Sequence, residues 1–75
     1  MAIVRKLVLQ QLEVDAGHSE ADGTYSRVTS RGERYLQIDT YGSRQRKMPG
    51  KKSQSIRFAP EAVEQLKAIL AKHFA

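Results

Sequence analysis

The chain reads as an α+β domain: a four-stranded antiparallel sheet followed by one C-terminal helix, in the order β-β-β-β-α. Three observations predict it. Between residues 24 and 58 apolar and polar side chains alternate with a period of two, as in half-buried strands. From Pro60 onward apolar residues recur at helical spacing. Clusters of Gly, Asp, Ser and Pro separate these segments and mark turns. A length of 75 residues leaves room for one domain, with the sheet over 3–58 and the helix over 60–74.

The elements follow in order. Residues 3–14, "IVRKLVLQQLEV", are rich in β-branched residues and Leu, which predicts a strand. Leu12 and Val14 fall on the opposite parity from Ile3, Leu7 and Leu9, so a bulge or a change of burial is expected, and a helix stays open as the alternative. "DAGHSEADG" is loop chemistry. "TYSRVTSR" (24–31) and "RYLQIDTY" (34–41) flank the short turn "RGE" (31–33) and predict a β-hairpin. "GSRQRKMPGKK" carries a central Pro-Gly turn, and "SQSIRF" (53–58) resumes alternation. In the helix, Val63, Leu66, Ile69, Leu70 and Phe74 form one apolar stripe. Pro60 suits the first helical position, and Glu61, Glu64, Lys67, Lys72 and His73 complement the helix dipole.

A single helix covers one face of a sheet. Alternation assigns Leu36, Ile38, Ile56 and Phe58 to the covered side. Tyr35, Gln37, Tyr41, Ser53, Ser55 and Arg57 are expected on the open side, together with Tyr25, Arg27 and Arg31. Aromatic rings and arginines on one open face are what a single-strand binder needs, because cations follow phosphates and flat rings stack bases of any identity.

Charge points the same way. The formal net charge is +5 and the isoelectric point about 9.9. It is also segregated: Glu13, Asp15, Glu20 and Asp22 sit in a stretch without a base, whereas residues 40–58 hold six Lys and Arg and no acid. Such a dipolar chain favours an anionic partner. The absence of Cys excludes disulfides and thiolate chemistry, and self-association is the remaining route to extra stability for so small a core. His18 has no Ser or Cys beside it, and the acids around it match no metal-ligand spacing. No nucleotide-binding motif occurs. The expectation is therefore a protein that is not an enzyme, with no catalytic or metal site, no cofactor and no small-molecule substrate. No apolar run is long enough for a membrane span and no secretory signal opens the chain, which predicts a cytoplasmic protein without a membrane partner.

"PGKKSQSIRFAPEAVEQLKAIL" resembles the single-stranded-DNA-binding core of the transcription coactivator positive cofactor four and its small bacterial relatives. The likeness rests on Pro49-Gly50-Lys51-Lys52 in the loop, Ile56-Arg57-Phe58 in the strand, Pro60-Glu61 opening the helix, Gln65-Leu66-Lys67 within it, and Tyr41 at the aromatic position of the preceding strand. It spans residues 35–70. Ser55 stands where the family has Gly, and Val63 where it typically has Trp. The resemblance implies a homodimer whose helices pack through Val63, Leu66, Leu70 and Phe74. It further implies that Arg44, Arg46, Lys47, Lys51 and Lys52 take phosphates, that Tyr35 and Tyr41 stack bases, and that Arg31 and Arg57 are secondary phosphate contacts. The function so implied is sequence-tolerant binding of single-stranded DNA, or RNA, in transcription regulation. Two alternatives stay open: a module whose basic loop docks on an acidic protein, and a β-sheet reader of duplex DNA.

Overall fold

The computed structural model describes residues 1–42 and 52–75. It contains β1 (Ala2–Val4), β2 (Gly23–Ser30), β3 (Glu33–Tyr41), β4 (Lys52–Phe58) and α1 (Pro60–His73). The strands form one sheet in the order β1-β4-β3-β2. β2 and β3 pair antiparallel, as do β3 and β4, but β1 lies parallel to β4. The α+β class and the element order match the sequence reading; the wholly antiparallel sheet does not. The sheet is mixed because the first strand pairs with the last one, and the chain then crosses from one edge of the sheet to the other.

The expected first strand over 3–14 is much shorter. It stops at Val4, whose carbonyl accepts the Ala59 N–H at 2.9 Å where β4 gives way to the helix. Beyond it, the Arg5 guanidinium turns to Glu33 and Glu61, and the Gln65 side chain takes both backbone groups of Leu7. The Leu7 N–H donates to Gln65 Oε1 at 2.8 Å, and Gln65 Nε2 donates to the Leu7 carbonyl at 3.1 Å. A helix amide thus supplies the partners that a neighbouring strand would have given.

The hairpin turns on Arg31 and Gly32 alone, both with positive φ (50° and 78°), the pattern of a type I′ turn. Ser30 therefore faces Glu33, Arg27 faces Leu36 and Tyr25 faces Ile38. Had the turn taken three residues, as "RGE" suggests, every side chain of β2 would point the other way. Tyr25 and Arg27 consequently lie on the face of Leu36 and Ile38, not on that of Tyr35.

Along β4, Ile56 faces Ile38 and Phe58 faces Leu36, so these four residues share a face as predicted. A bulge between Thr40 and Tyr41 leaves Ser53 without an opposite residue. The helix begins at Pro60, with Ala59 extended before it, and the Phe74 N–H bonds back to the Leu70 carbonyl. Ala59 and Ala62 are buried, but among the described residues no large side chain is fully buried. Leu36, Ile38, Ile56 and Phe58 are only half-buried. The deepest strand residues, Tyr35 and Asp39, lie on the opposite face, which alternation assigned to solvent. Among the described residues no helix is long and apolar enough to cross a membrane.

Candidate nucleic-acid interface

Odd-numbered residues of β3 build one face of the sheet. Tyr35, Gln37 and Asp39 lie in line there, facing Val28, Ser26 and Thr24 of β2. Gln37 faces Arg57, and Asp39 faces Ser55. The polar groups on this face bind each other. Arg57 Nε donates to Gln37 Oε1 at 2.7 Å, and Gln37 Nε2 donates to both Asp39 oxygens at 3.0 and 3.1 Å. Lys52 Nζ approaches Asp39 at 3.2 Å. Hydrogen bonds from Ser55 and then Gln37 hold the Asp39 carboxyl below its ordinary value, with Lys52 adding to them.

The same face ends in a second cluster. Arg5 grips Glu33 through two N–H donors, at 2.9 and 3.1 Å. The Tyr35 hydroxyl donates to the same carboxylate at 2.7 Å. Hydrogen bonding from Arg5, then from Tyr35, lowers the Glu33 carboxyl to about 2. That bond to Glu33, together with desolvation, raises the Tyr35 phenol. The Arg57 guanidinium lies 5.9 Å from the centre of the Tyr35 ring, within cation–π range.

This geometry alters the expected roles. Tyr35 was expected to offer an open ring; it is 5% exposed and its neighbours are Arg57, Glu33 and Arg5. Arg57 lies on the expected face, and Lys52, expected in the basic loop, opens β4 on the same face; each already has a polar or acidic partner. Tyr41 is half-buried and its hydroxyl shares a hydrogen bond of 3.1 Å with that of Thr24. Arg31 is exposed in the hairpin turn. Of the helix residues, Val63 and Leu66 are half-buried, whereas Leu70 and Phe74 are exposed. Arg44, Arg46, Lys47 and Lys51 lie outside the described residues.

Even-numbered residues of β3 build the other face, and its chemistry differs. Gly23, Tyr25, Arg27 and Thr29 of β2 lie beside Arg34, Leu36, Ile38 and Thr40 of β3. Beyond them stand Gln54, Ile56 and Phe58 of β4, then Ala2 and Val4 of β1. None of these residues is acidic. Tyr25 is 80% exposed, and Arg27 and Arg34 are exposed. Residues two apart on a strand stand about 7 Å from each other on one face. Tyr25 and Arg27 are so spaced, and Arg34 is a diagonal neighbour of Arg27 across the pair. A shallow groove of about 460 Å³ lies between Met1, Ala2, Ile38, Thr40 and the first half of β4 from Lys52 to Ile56.

Sequence alternation missed Arg34 altogether and placed Tyr25 and Arg27 on the wrong face. The missed signal was Gly32: a glycine second in a two-residue loop marks a type I′ turn, which fixes the register. Among the described residues no three His, Asp or Glu side chains gather as they would around a metal ion. No family model, curated protein or solved structure matches this chain.

Proposed function

We propose that the protein binds single-stranded nucleic acid across the acid-free face of its sheet, without strong sequence preference, and serves as a DNA-binding factor in processes such as transcription. The observation that carries this reading is Tyr25, an exposed aromatic beside Arg27 and Arg34 on a face with no carboxylate. A base stacked on Tyr25 gains roughly 1–3 kcal/mol, and the two arginines are placed to follow the phosphates. Leu36, Ile38, Ile56 and Phe58 give the adjoining surface an apolar floor. Arg31 extends the cationic line around the hairpin turn, and the sequence adds Arg44, Arg46, Lys47 and Lys51 before β4. Tyr41 and Lys52 stand at the end of the sheet where that stretch rejoins it.

The test is fluorescence anisotropy with a labelled oligo(dT) of about 20 nucleotides, competed by unlabelled duplex and by RNA. Tight binding with weak competition by duplex is expected, with a log–log salt slope of roughly −3 to −3.5 for four or five neutralised phosphates. Tyr25→Ala is expected to raise the Kd roughly 5- to 150-fold, and Arg27→Glu with Arg34→Glu to raise it further and flatten the salt slope. A Kd unmoved by Tyr25→Ala, alongside abolition by charge reversal, would replace stacking with plain docking on an acidic protein. No binding at low salt would overturn the reading.

A further inference from the structure

Residues 7–14, "LVLQQLEV", are the least explained part of the structure. Their composition is that of a strand, yet they pair with no strand and form no helix; only a bend at Glu13–Val14 breaks their course. Val8, Leu9, Leu12 and Val14 are between 74% and 94% exposed. The chain is nevertheless held at Leu7 and again at Asp22, eight residues past the segment. Gln65 holds the Leu7 backbone at one end, and the Tyr41 N–H donates to the Asp22 carbonyl at 3.0 Å beyond the other. Long connections without secondary structure are uncommon in compact domains and are usually either functional or linker segments.

A matching vacancy lies on the sheet. Among the described residues β2 is an edge strand that pairs with β3 alone, and it is regular, with no proline and no bulge. Exposed edges of this kind are templates for strand addition. It is as long as the 7–14 segment. Arg27 is its one charged residue, and Glu13 is the one charged residue of the segment.

The exposed surface is large enough for such a contact. A folded monomer of 8.5 kDa has an accessible area of about 4,700 Å², and this chain has 6944 Å². The radius of gyration is 14.4 Å, against about 11 Å for a compact chain of this length. A stable interface removes about 800 Å² from each partner.

We propose that residues 7–14 of one copy add as a strand to the open edge of β2 in a second copy, joining two sheets into a homodimer. The exchange shelters the exposed Val and Leu side chains and closes the edge. It stands independently of the nucleic-acid reading.

The absence of Cys makes cross-linking clean. Gln10→Cys and Gln11→Cys, one for each side-chain parity, are each mixed with Ser26→Cys protein and oxidised. One of the two mixtures is expected to give a mixed-chain disulfide at least about 10-fold faster than either protein alone, and light scattering to find the unmodified chain dimeric. Leu12→Pro is expected to raise the dimer dissociation constant at least about 100-fold with the helix signal in circular dichroism unchanged, because proline removes a strand donor. Should that variant lose its helix signal, Leu12→Lys with Val14→Lys takes its place with the same expectation. A monomeric wild type overturns the proposal. So does a mixed-chain disulfide that forms no faster in either mixture than disulfides do in the single variants alone. Loss of the dimer on Leu70→Asp and Phe74→Asp, with Leu12→Pro still dimeric, would assign the interface to the helix and overturn it too.

Discussion

The two faces of this sheet are made by alternate residues of the same strand, and they use arginine in opposite ways. On the face of Tyr35, cations are consumed internally: Arg5 by Glu33, Lys52 by Asp39, Arg57 by Gln37 and the Tyr35 ring. On the face of Tyr25, Arg27 and Arg34 stand exposed among apolar and hydroxyl neighbours with no acid. A count of cations per face would rank the first face as the better grip. What matters for an outside anion is the net field after internal pairing, and by that measure the second face is the cationic one. The first face has the properties of a framework, since satisfied polar networks fix one arrangement.

Replacing the aromatic of each face in turn should separate these roles most sharply. Tyr35→Ala removes a buried ring, the Glu33 hydroxyl partner and the seat of Arg57, and is expected to lower Tm by about 15 °C or more. Tyr25→Ala removes an exposed ring and is expected to leave Tm within about 3 °C while weakening nucleic-acid binding. Thermal melts beside anisotropy decide it. If Tyr35→Ala binds less at full stability, or Tyr25→Ala unfolds the domain, the two faces have been assigned the wrong way round.

Much of this contrast was legible in the residues. Helical spacing from Val63 to Phe74, with Pro60 ahead of it, fixes the helix regardless of context. The alternation of β3 and β4 correctly grouped Leu36, Ile38, Ile56 and Phe58. What failed depended on pairings between strands. Parity within β2 says which of its residues share a face, but only the hairpin loop says which face of β3 that is, and the choice between two and three loop residues reverses it. The parallel β1 was hidden for a related reason. Ala2–Val4 pairs with a strand more than fifty positions later, and nothing local in "AIV" specifies that partner. Burial was misjudged because the deepest strand positions are polar-tipped residues, Tyr35 and Asp39, whose burial depends on partners far away in sequence. Alternation alone treats such residues as solvent-facing.

Acid offers a milder way to sharpen the comparison. The Glu33 carboxyl titrates near 2 in the folded chain, against an ordinary value of 4.5. A carboxyl lowered on folding stabilises the fold above its unfolded value and loses that contribution as pH falls through the folded one. The Arg5–Glu33–Tyr35 cluster should therefore weaken between about pH 4.5 and pH 2, with Asp39, also lowered, adding to the loss. Denaturant unfolding across that range should show wild-type stability falling with acid and Glu33→Gln falling less steeply. Equal slopes for the two proteins would mean that Glu33 is not held by Arg5. Among the strand residues of the exposed face none is a carboxylic acid, so Arg27→Ala should leave the acid dependence unchanged.

The smallest effect concerns a single backbone angle. Arg31 sits at φ 50° in the hairpin turn, a left-handed conformation that side chains other than Asn, Asp and Gly adopt at a cost of about 1 kcal/mol. Asn-Gly is the favoured pair for this turn, and the chain has Arg-Gly. Arg31→Asn is expected to raise Tm by about 2–6 °C through relief of that strain. The same substitution removes a cation from the end of the Tyr25–Arg27–Arg34 line, so the log–log salt slope for a single strand should flatten by about 0.7. Stability and binding thus move in opposite directions at one residue. That pattern is expected where a strained residue is retained for its charge. If Arg31→Asn stabilises the turn and leaves the salt slope untouched, the grip on phosphate ends at Arg27 and Arg34. If it does neither, the turn carries no strain and the reading of its register through a type I′ geometry is the part to revise.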